Sequence, residues 1–511
     1  MAKISTKNLA KYSAMISLIL ILSKVVGFVR EMLVATQFGA SRESDIFKTA
    51  TRIPNLFYSV VAAALLTSFI PIFSSFKNDE KKANLFFNNI FNVLFLLCAI
   101  LSIIGMVFTP QITKLFVSGF NNADFIRTYN MTRISMPSII FLALSGLQQG
   151  YLNSYGIFLQ PALTSIISSI IMIIGMMFVG KFGIAAAVIG FFLGAVAQVI
   201  FQLPFMKNYK FKFYINFHDE NVKKMLLLSV PIIISSAVSQ VNVIVDSTFA
   251  SNLARGSMSI IDYASKVSTI INQVFIVSIT TIFYPMLTEK YALGSKEDFK
   301  DLIIKSLNIV VIIAIPLIIG MIILSTPLVR LLLQHGKFNS SDTVVTALCL
   351  RVLALGTLGY SLIDILGKVF FSVKDTVTPM INGIITVGLN ILFIVILVPR
   401  MGISGLSTAT TTSASIIATV MIFELKYKLK DLRFNAFIKV LLKALIAGGI
   451  MGAIVGLTYK YLGVLFNNEG SLVLAIKITI EAIIGIAVYI AALYILKVKE
   501  LESLIALRKR K

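Results

Sequence analysis

Charged side chains interrupt the apolar stretches of this sequence at a few positions, and those positions are the first candidates for chemistry. The first stretch carries Lys24 and Arg30, and Glu31 follows directly. Lys24 and Arg30 are six residues apart, about 240° around a helix, so they do not share one face. A charge at mid-bilayer costs roughly 2.5–3.5 kcal/mol on insertion scales and persists where it faces water or a partner. We expect both cations to face a water-filled cationic cavity for an anionic headgroup, with the arginine as a fork for phosphate.

A second group of charges surrounds the start of the next apolar stretch. It contains Arg42, Glu43, Asp45, Lys48 and Arg52. We expect Arg42, Glu43 and Lys48 to pair among themselves or to reach a membrane interface, as charged residues near helix ends commonly do. The acids of this region are fewer than its bases, so positive charge stays in excess around the first two stretches.

Farther along the chain, the intramembrane charges are of two kinds. Asp364 and Lys368 are four residues apart, as are Lys477 and Glu481, and such pairs can neutralise each other along one helix face. Asp246 has no basic neighbour at helical spacing. It is either a proton or cation site or a protonated acid bonded to a Ser or Thr hydroxyl, and both interpretations stay open.

The composition identifies the elements that must position these charges. Of 511 residues, 57% are hydrophobic and 14% are charged, and the mean hydropathy is +0.91. A soluble domain has about 25% charged and about 45–50% apolar residues, so a soluble fold is excluded, as are disordered, collagenous and disulfide-rich chains. What remains is an all-α protein that crosses the bilayer many times. The two cysteines and two histidines form no redox or metal pattern.

Apolar runs long enough to cross the hydrocarbon core occur about fourteen times. They lie at about 12–37, 46–76, 86–109, 128–153, 158–181, 183–206, 225–250, 259–287, 303–329, 344–372, 377–399, 404–424, 440–462 and 472–496.

The orientation follows from the basic residues. Lys and Arg number 46 against 23 Asp and Glu, a net charge of +23. In a polytopic protein such an excess holds loops at the anionic cytoplasmic leaflet, so we expect membrane lipids and not nucleic acid as its partners. The N-terminus, 207–224, 425–439 and 497–511 are basic, and fourteen spans put them all on one side. Both termini are therefore predicted to be cytoplasmic.

The sequence also contains an internal duplication. Corresponding residues recur at a nearly constant separation of roughly 214–219 positions. The matches are Pro71 with Pro285, Pro161 with Pro379, and Gly183 with Gly402. Each copy holds six spans that begin on the same side, so the copies are parallel repeats related by an axis along the membrane normal.

These observations predict the domain organisation. The predicted segments are a six-helix lobe at 1–206, a basic cytoplasmic linker at 207–224, a second six-helix lobe at 225–424, a basic cytoplasmic loop at 425–439, helices 13 and 14 at 440–496, and a basic tail at 497–511. Two parallel lobes imply a cleft that opens to each side in turn. Lys266, beyond Asp262, could add a cation from the facing wall of that cleft.

Several motifs of the chain resemble the MurJ/MviN lipid II flippases of the multidrug/oligosaccharidyl-lipid/polysaccharide exporter superfamily. The motifs are Ser23-Lys24-Val25-Val26-Gly27-Phe28-Val29-Arg30-Glu31, Phe38-Gly39-Ala40, Asp45, Arg52-Ile53-Pro54-Asn55-Leu56, Tyr263-Ala264-Ser265-Lys266, Gln334-His335-Gly336-Lys337-Phe338 and Val398-Pro399-Arg400-Met401-Gly402. The likeness runs over nearly the whole chain.

The resemblance implies a fourteen-helix flippase in a bacterial cytoplasmic membrane, whose last helix pair forms a lipid-tail groove. It implies transbilayer movement, by alternating access, of an undecaprenyl-diphosphate-linked disaccharide-pentapeptide. The substrate-binding residues expected from the resemblance and the charge pattern together are Lys24, Arg30, Glu31, Asp45, Arg52 and Lys266. The resemblance also suggests a sodium site from Asp246, Asn390 and Thr410. No other cofactor or metal is expected; sodium or a proton is the candidate coupling ion.

The chain departs from the family pattern at several positions. Two family arginines stand here as Lys24 and Lys266, and a second carboxylate near Ile394 is missing. Two other functions therefore stay open: a flippase for another lipid-linked oligosaccharide, such as a teichoic acid or exopolysaccharide, and a cation-coupled multidrug exporter. An enzyme is not expected, because no Asp-x-Asp or histidine cluster occurs. We expect a monomer, with cell-wall synthesis proteins as candidate partners.

Overall fold

The computed structural model describes residues 6–206, 209–272, 278–430, 432–465, 470–498 and 500, and its regular structure in these residues is entirely helical. The α-helices are α1 (Thr6–Phe38), α2 (Arg42–Phe76), α3 (Glu80–Val107), α4 (Thr109–Phe116), α5 (Asn122–Ser135), α6 (Ser138–Ser154), α7 (Leu159–Met177), α8 (Val179–Phe182), α9 (Ile184–Gln202), α10 (Glu220–Ser251), α11 (Ser257–Asn272), α12 (Ser278–Ala292), α13 (Lys296–Ile323), α14 (Ser325–Leu333), α15 (Ser340–Ser372), α16 (Val377–Met401), α17 (Ile403–Lys428), α18 (Phe434–Leu465) and α19 (Ser471–Ile495). One 3-10 turn, Leu203–Phe205, follows α9.

The all-helical, multi-pass class is confirmed. Each predicted span falls on one helix or on two consecutive helices. In the described part of the chain, ten helices are long and apolar enough to cross a membrane, or eleven if the bent pair Arg42–Ala63 and Thr67–Phe76 is one span. Three of the fourteen predicted apolar runs are not among these eleven helices: they lie on α1, on α5 with α6, and on α11 with α12. The full count of fourteen spans therefore stays a prediction.

The chain forms two compact units. The first comprises Met1–Ser259 and His335–Phe338, and in it α2 packs against α5, α6 and α10 while α7 packs against α1 and α9. The second comprises Ile260–Gln334 and Asn339–Lys511, and in it α15 packs against α13 and α17 while α18 packs against α13 and α19. Because α10 packs with α2, it belongs to the first unit; the predicted lobe boundary at 207–224 stays a prediction.

The matched glycines of the duplication have the same backbone conformation. Gly183 precedes α9 with φ 62° and ψ −155°, and Gly402 precedes α17 with φ 59° and ψ −135°. Glycine reaches this region without the steric cost that a side chain imposes. Pro71 and Pro285, another matched pair, both lie inside helices. These likenesses support a duplicated origin for the two halves.

The beginning of α2 is well determined by its sequence. Ser41 is the N-cap residue, and its hydroxyl accepts a hydrogen bond from the Ser44 N–H at 3.5 Å. Glu43 and Asp45 stand in the first turn, where the positive end of the helix dipole stabilises acids. Lys48 and Arg52 follow in α2, four residues and about one turn apart, so they lie on the same face of the helix.

Candidate functional site

Two cations share one carboxylate where α1 meets α2. Arg30 Nη2 lies 3.0 Å from Glu31 Oε1, and Lys48 Nζ lies 3.7 Å from Glu31 Oε2. Lys48 and Glu31 are buried, whereas 28% of the Arg30 side chain is exposed. A buried ion pair is retained only when each charge has its partner, so Glu31 and Lys48 hold each other in place. Arg30 is the member of this group that can reach a ligand.

Arg30 also has unused hydrogen-bonding capacity. Its Nε is buried and has no hydrogen-bond partner among the described residues. A guanidinium offers five N–H donors in a planar fork that matches phosphate. The group formed by Arg30, Glu31 and Lys48 therefore combines surplus positive charge with a donor suited to a phosphate oxygen.

Lys24 is an exposed cation on the same helix. It lies six residues before Arg30, about 9 Å along the helix axis. The neighbouring Ser23 hydroxyl is hydrogen-bonded to the Ser165 hydroxyl of α7, which fixes this part of α1 on α7. The two expected cations of the first span thus stand at different heights on one helix.

Arg52 connects α2 to α10. Its Nη1 donates to Ser247 Oγ at 2.9 Å, and its charge acts on Asp246. Asp246 Oδ2 lies 3.5 Å from Asn242 Nδ2, while Oδ1 is buried and has no hydrogen-bond partner in the described chain. Asp246 therefore has a basic neighbour after all, from another helix, which helical spacing alone did not reveal.

Asp45 is enclosed by backbone and hydroxyl donors. Its carboxylate accepts hydrogen bonds from Gly256 N at 2.8 Å, Ser259 N at 3.0 Å and Ser259 Oγ at 2.7 Å, and Arg42 lies 3.6 Å away. Only 1% of Asp45 is exposed. The structure places this expected substrate-binding residue in the first turn of α2, where it fixes the connection between α10 and α11 and the first turn of α11.

Gly256 is required at this connection for two reasons. Its φ is +85°, and a Cβ there would lie 2.0 Å from the Ala40 carbonyl oxygen. We predict that Gly256→Ala lowers the thermal unfolding midpoint in detergent, because the backbone conformation alone costs about 1–3 kcal/mol and the clash adds to it. Gly180→Ala is the matched control: that glycine has open space around it and should tolerate the methyl group. Equal midpoints for the two variants would contradict the prediction.

Arg42, Glu43 and Lys48 pair with other residues of the first unit and not with one another. Arg42 Nε lies 3.3 Å from Asp124 Oδ2, and its guanidinium stands 3.8 Å above the Phe120 ring. Glu43 lies 2.6 Å from Arg127 Nη2. Lys48 also pairs, but with Glu31 in the buried group and not at the surface.

The remaining expected site residues lie in the second unit. Lys266 pairs with Asp262 at 3.1 Å, and 37% of its side chain is exposed. Asn390 is buried; its Nδ2 donates to Thr410 Oγ1 at 3.2 Å, and its Oδ1 has no hydrogen-bond partner among the described residues. Asp246 is in the first unit, so the sodium site of Asp246, Asn390 and Thr410 stays a prediction. In the described chain no group of three or more His, Cys, Asp or Glu residues could hold a metal.

Two of the cavities in the second unit have contrasting linings. A polar cavity of about 340 Å³ is lined by hydroxyl and amide residues together with Asp364, which pairs with Lys368 at 3.0 Å as expected. An apolar groove of about 460 Å³ lies among α13, α18 and α19, lined by residues such as Ile312, Met451 and Ile486. The lipid-tail groove was predicted at the last helix pair, which is α18 and α19 here, and its occupation by a lipid tail stays a prediction.

Sequence reasoning missed two contributors to the charged group. Lys48 was expected to pair with Arg42 or Glu43 or to reach a membrane interface, and Ser247 was not considered. The spacing of Lys48 and Arg52, four residues apart on a helix, was the available signal, because it puts both cations on one face of α2.

Comparison with known proteins gives a consistent result. The family model described as "Lipid II flippase MurJ" matches residues 34–481. A probable lipid II flippase MurJ of Buchnera aphidicola subsp. Baizongia pistaciae (strain Bp) is 32% identical over 405 residues, which is 76% of this chain and 78% of that protein.

Solved structures agree with the sequence comparison. The structure described as "Lipid II flippase MurJ, inward closed conformation" superposes with a TM-score of 0.79 at 28% identity, covering 94% of this chain and 98% of that one. An inward-facing multidrug resistance MATE family transporter of the MOP superfamily matches with a TM-score of 0.66 at 14% identity, over 80% of this chain and 95% of that chain. The second likeness shows a shared fold only.

Proposed function

The chain belongs to the lipid II flippase MurJ family, and on that basis we propose that it carries lipid II across the bacterial cytoplasmic membrane by alternating access, using the basic residues of α1 and α2. It is a multi-pass membrane transporter and not an enzyme. Both termini and the basic segments 207–224 and 425–439 lie in the cytoplasm in this proposal, as the distribution of Lys and Arg predicts.

The observation that carries the proposed role of the site is the sharing of Glu31 by Arg30 and Lys48. A diphosphate brings at least two negative charges into the membrane interior, where isolated charges are costly. The buried Lys48 satisfies Glu31 from one side, so the partly exposed Arg30 can turn N–H donors to a phosphate oxygen. Lys24 provides a second, exposed cation about 9 Å away along the helix.

Arg52 and Lys266 extend this proposal. Arg52 faces Asp246 and Ser247, so part of its charge is already neutralised within the first unit. Lys266 would add a cation from the second unit during transport, once Asp262 releases it. Asp45 is assigned a supporting role, because its carboxylate is fully surrounded by donors and Arg42.

The glycan-binding and lipid-binding parts of the substrate would meet different surfaces. The hydroxyl-lined cavity of the second unit suits the uncharged sugar and amide groups, which exchange hydrogen bonds with Ser, Thr and Asn. The apolar groove among α13, α18 and α19 suits the polyprenyl chain, because burying apolar surface is favourable without any polar contact.

Complementation tests the proposed substrate. We expect this chain to restore growth to a bacterial strain depleted of its own lipid II flippase, because the family model matches residues 34–481 of the chain. Transport of fluorescent lipid II in vesicles, compared with a teichoic-acid precursor on the same polyprenyl diphosphate, distinguishes the glycans. A chain that inserts and accumulates but neither supports growth nor moves lipid II, while it moves the other precursor, would reassign the substrate.

A further inference from the structure

The segment 209–217, here called the strap, runs beside α3 before α10 begins. It has no helical or strand structure of its own. Its backbone is bonded to asparagine side chains of α3 through Lys210, Lys212, Tyr214 and Asn216. Every second residue of the strap has a backbone group hydrogen-bonded to α3. The strap is therefore extended, because only in an extended chain do the backbone groups of alternate residues point to the same side.

Asparagine side chains of α3 make the hydrogen bonds to the strap backbone that a neighbouring β-strand would otherwise make. Asn88 accepts from Lys212 N at 2.8 Å and donates to the Lys210 carbonyl at 2.8 Å. Asn89 exchanges two bonds of 2.8 Å with the N–H and C=O of Asn216. Asn92 donates to the Lys212 carbonyl at 2.9 Å. A carboxamide has both a donor and an acceptor, so each one can pair a strand backbone as another peptide group would.

This arrangement satisfies two sets of polar groups at once. Asn88, Asn89 and Asn92 are 2%, 0% and 5% exposed, and buried amides without hydrogen bonds are costly. Backbone N–H and C=O groups without hydrogen bonds also cost free energy at a membrane boundary. An extended segment normally satisfies these groups by pairing with a neighbouring strand. The strap can therefore lie close to hydrocarbon without unpaired backbone groups on its α3 side.

The length of α3 indicates how deep the strap lies relative to the hydrocarbon core of the membrane. A hydrocarbon core of about 30 Å takes about 20 helical residues at 1.5 Å each. Counted back from Val107 at the end of α3, that length reaches Asn88. The strap is hydrogen-bonded to residues on both sides of this point, so with Val107 taken as one face of the hydrocarbon core, the strap lies at the opposite face.

The strap carries exposed aromatic and basic side chains, and the ring of Phe211 also contacts Phe91 of α3 edge-on, with 6.1 Å between the ring centroids. Phe211, Phe213 and Phe217 are 64%, 75% and 50% exposed, and Lys210 and Lys212 are exposed beside them. Apolar rings gain from entering the acyl boundary, while lysine can bury its stem and keep its ammonium at the phosphates. Each such cation is attracted by the negative surface potential of an anionic leaflet.

From the depth, the exposed rings and the charge, we propose that the strap is a lipid-binding surface: Phe211, Phe213 and Phe217 enter the leaflet, and Lys210 and Lys212 bind anionic phospholipid headgroups. The occupant is the membrane on the basic side of the protein, which the distribution of charge makes the cytoplasmic leaflet. The strap thus fastens the connection between α9 and α10 to that leaflet, whatever substrate the protein carries.

Fluorescence in nanodiscs tests this surface. Phe213→Cys, in a Cys98→Ala/Cys349→Ala background, is labelled with an environment-sensitive dye in discs of phosphatidylcholine with or without phosphatidylglycerol. We expect quenching by lipids brominated near the glycerol end to exceed quenching by lipids brominated near the chain terminus, and iodide in water to quench weakly. Phosphatidylglycerol should shift the emission to the blue, and Lys210→Gln/Lys212→Gln should remove most of that shift.

Lys82→Cys is the matched control position, since Lys82 is exposed on the same helix about 9 Å beyond Asn88, away from the core. Its label should be open to iodide and insensitive to brominated lipid. Free iodide access to position 213 would overturn the proposal, as would a phosphatidylglycerol shift that the double lysine variant retains. Protection of position 213 that depends on protein concentration and not on lipid would assign the surface to a second copy of the chain instead.

Discussion

An Arg30→Ala variant should insert and accumulate like the parent protein and yet fail to move lipid II. Arg30 is the exposed member of the group in which Glu31 also bonds the buried Lys48. Its removal takes away a charge-assisted fork for phosphate, and we expect lipid II binding to weaken at least about tenfold, or about 1.4 kcal/mol. Growth of the depletion strain and transport of fluorescent lipid II in vesicles measure the effect.

The controls separate binding chemistry from general damage. Arg127→Ala removes an arginine that pairs with Glu43 at the surface, where ion pairs contribute about 0–1 kcal/mol, so it should support normal growth. Arg30→Lys keeps the charge and removes the fork, so an intermediate transport rate is expected. Undecaprenyl diphosphate without the glycan should lose affinity to the same extent as lipid II. Normal growth on Arg30→Ala would exclude the residue from substrate binding.

Arg30 is a better test than its two partners. Glu31 and Lys48 are buried, and removal of Glu31 takes from both cations the carboxylate that they share. Breaking such a pair typically costs about 3–5 kcal/mol, so a loss of transport in those variants could reflect unfolding. Arg30 is partly exposed, and its loss leaves Glu31 with Lys48.

The sequence alone predicted the parts of this structure that depend on local pattern. The long apolar runs predicted the helices, because each run must satisfy its backbone hydrogen bonds within the membrane. Lys24, Arg30 and Glu31 stood out because charges inside such a run are costly. The paired spacing of Asp364 and Lys368 also predicted a contact that the structure contains.

Contacts between distant helices could not be predicted in this way. Arg52 and Ser247 are separated by 195 residues, and Asp45 is 211 and 214 residues from its donors Gly256 and Ser259. Helical periodicity shows which residues share a face, but it does not show which face of another helix they will meet. Asp246 looked isolated for this reason. The roles of Asn88 and its neighbours could not be predicted either, because their partner is the backbone of an irregular segment that carries no periodic signal.

The contact of Arg52 with α10 suggests how substrate and coupling ion could affect each other. Arg52 is hydrogen-bonded to Ser247, the residue next to Asp246, so a cation bound at Asp246 would be repelled by that arginine. A diphosphate that attracts Arg52 would leave Asp246 more available to a cation. By linkage, the cation would in turn favour binding of the diphosphate, and both would bias the same conformational equilibrium.

Asp246→Asn should therefore slow turnover more than it weakens lipid II binding. Asparagine has nearly the shape of aspartate and can still contact Asn242, but it has no negative charge with which to bind a proton or a cation. We expect lipid II affinity to stay within a few-fold of the parent value, and transport in vesicles to fall at least about tenfold, or about 1.4 kcal/mol in the barrier. The transport rate should also lose its response to imposed sodium or proton gradients.

A double variant separates this coupling role from a structural one. If Asp246 only balances the charge of Arg52, then Arg52→Gln/Asp246→Asn should turn over no more slowly than Arg52→Gln alone, which is the reference because Arg52 is itself an expected substrate-binding residue. If the carboxylate binds the coupling ion, the double variant should be slower than Arg52→Gln and insensitive to the gradients, because the site still lacks its charge. Gradient-dependent transport in the double variant at the Arg52→Gln rate, or an unchanged rate in Asp246→Asn alone, would show that Asp246 serves the packing of α2 on α10 and not the coupling of transport to an ion.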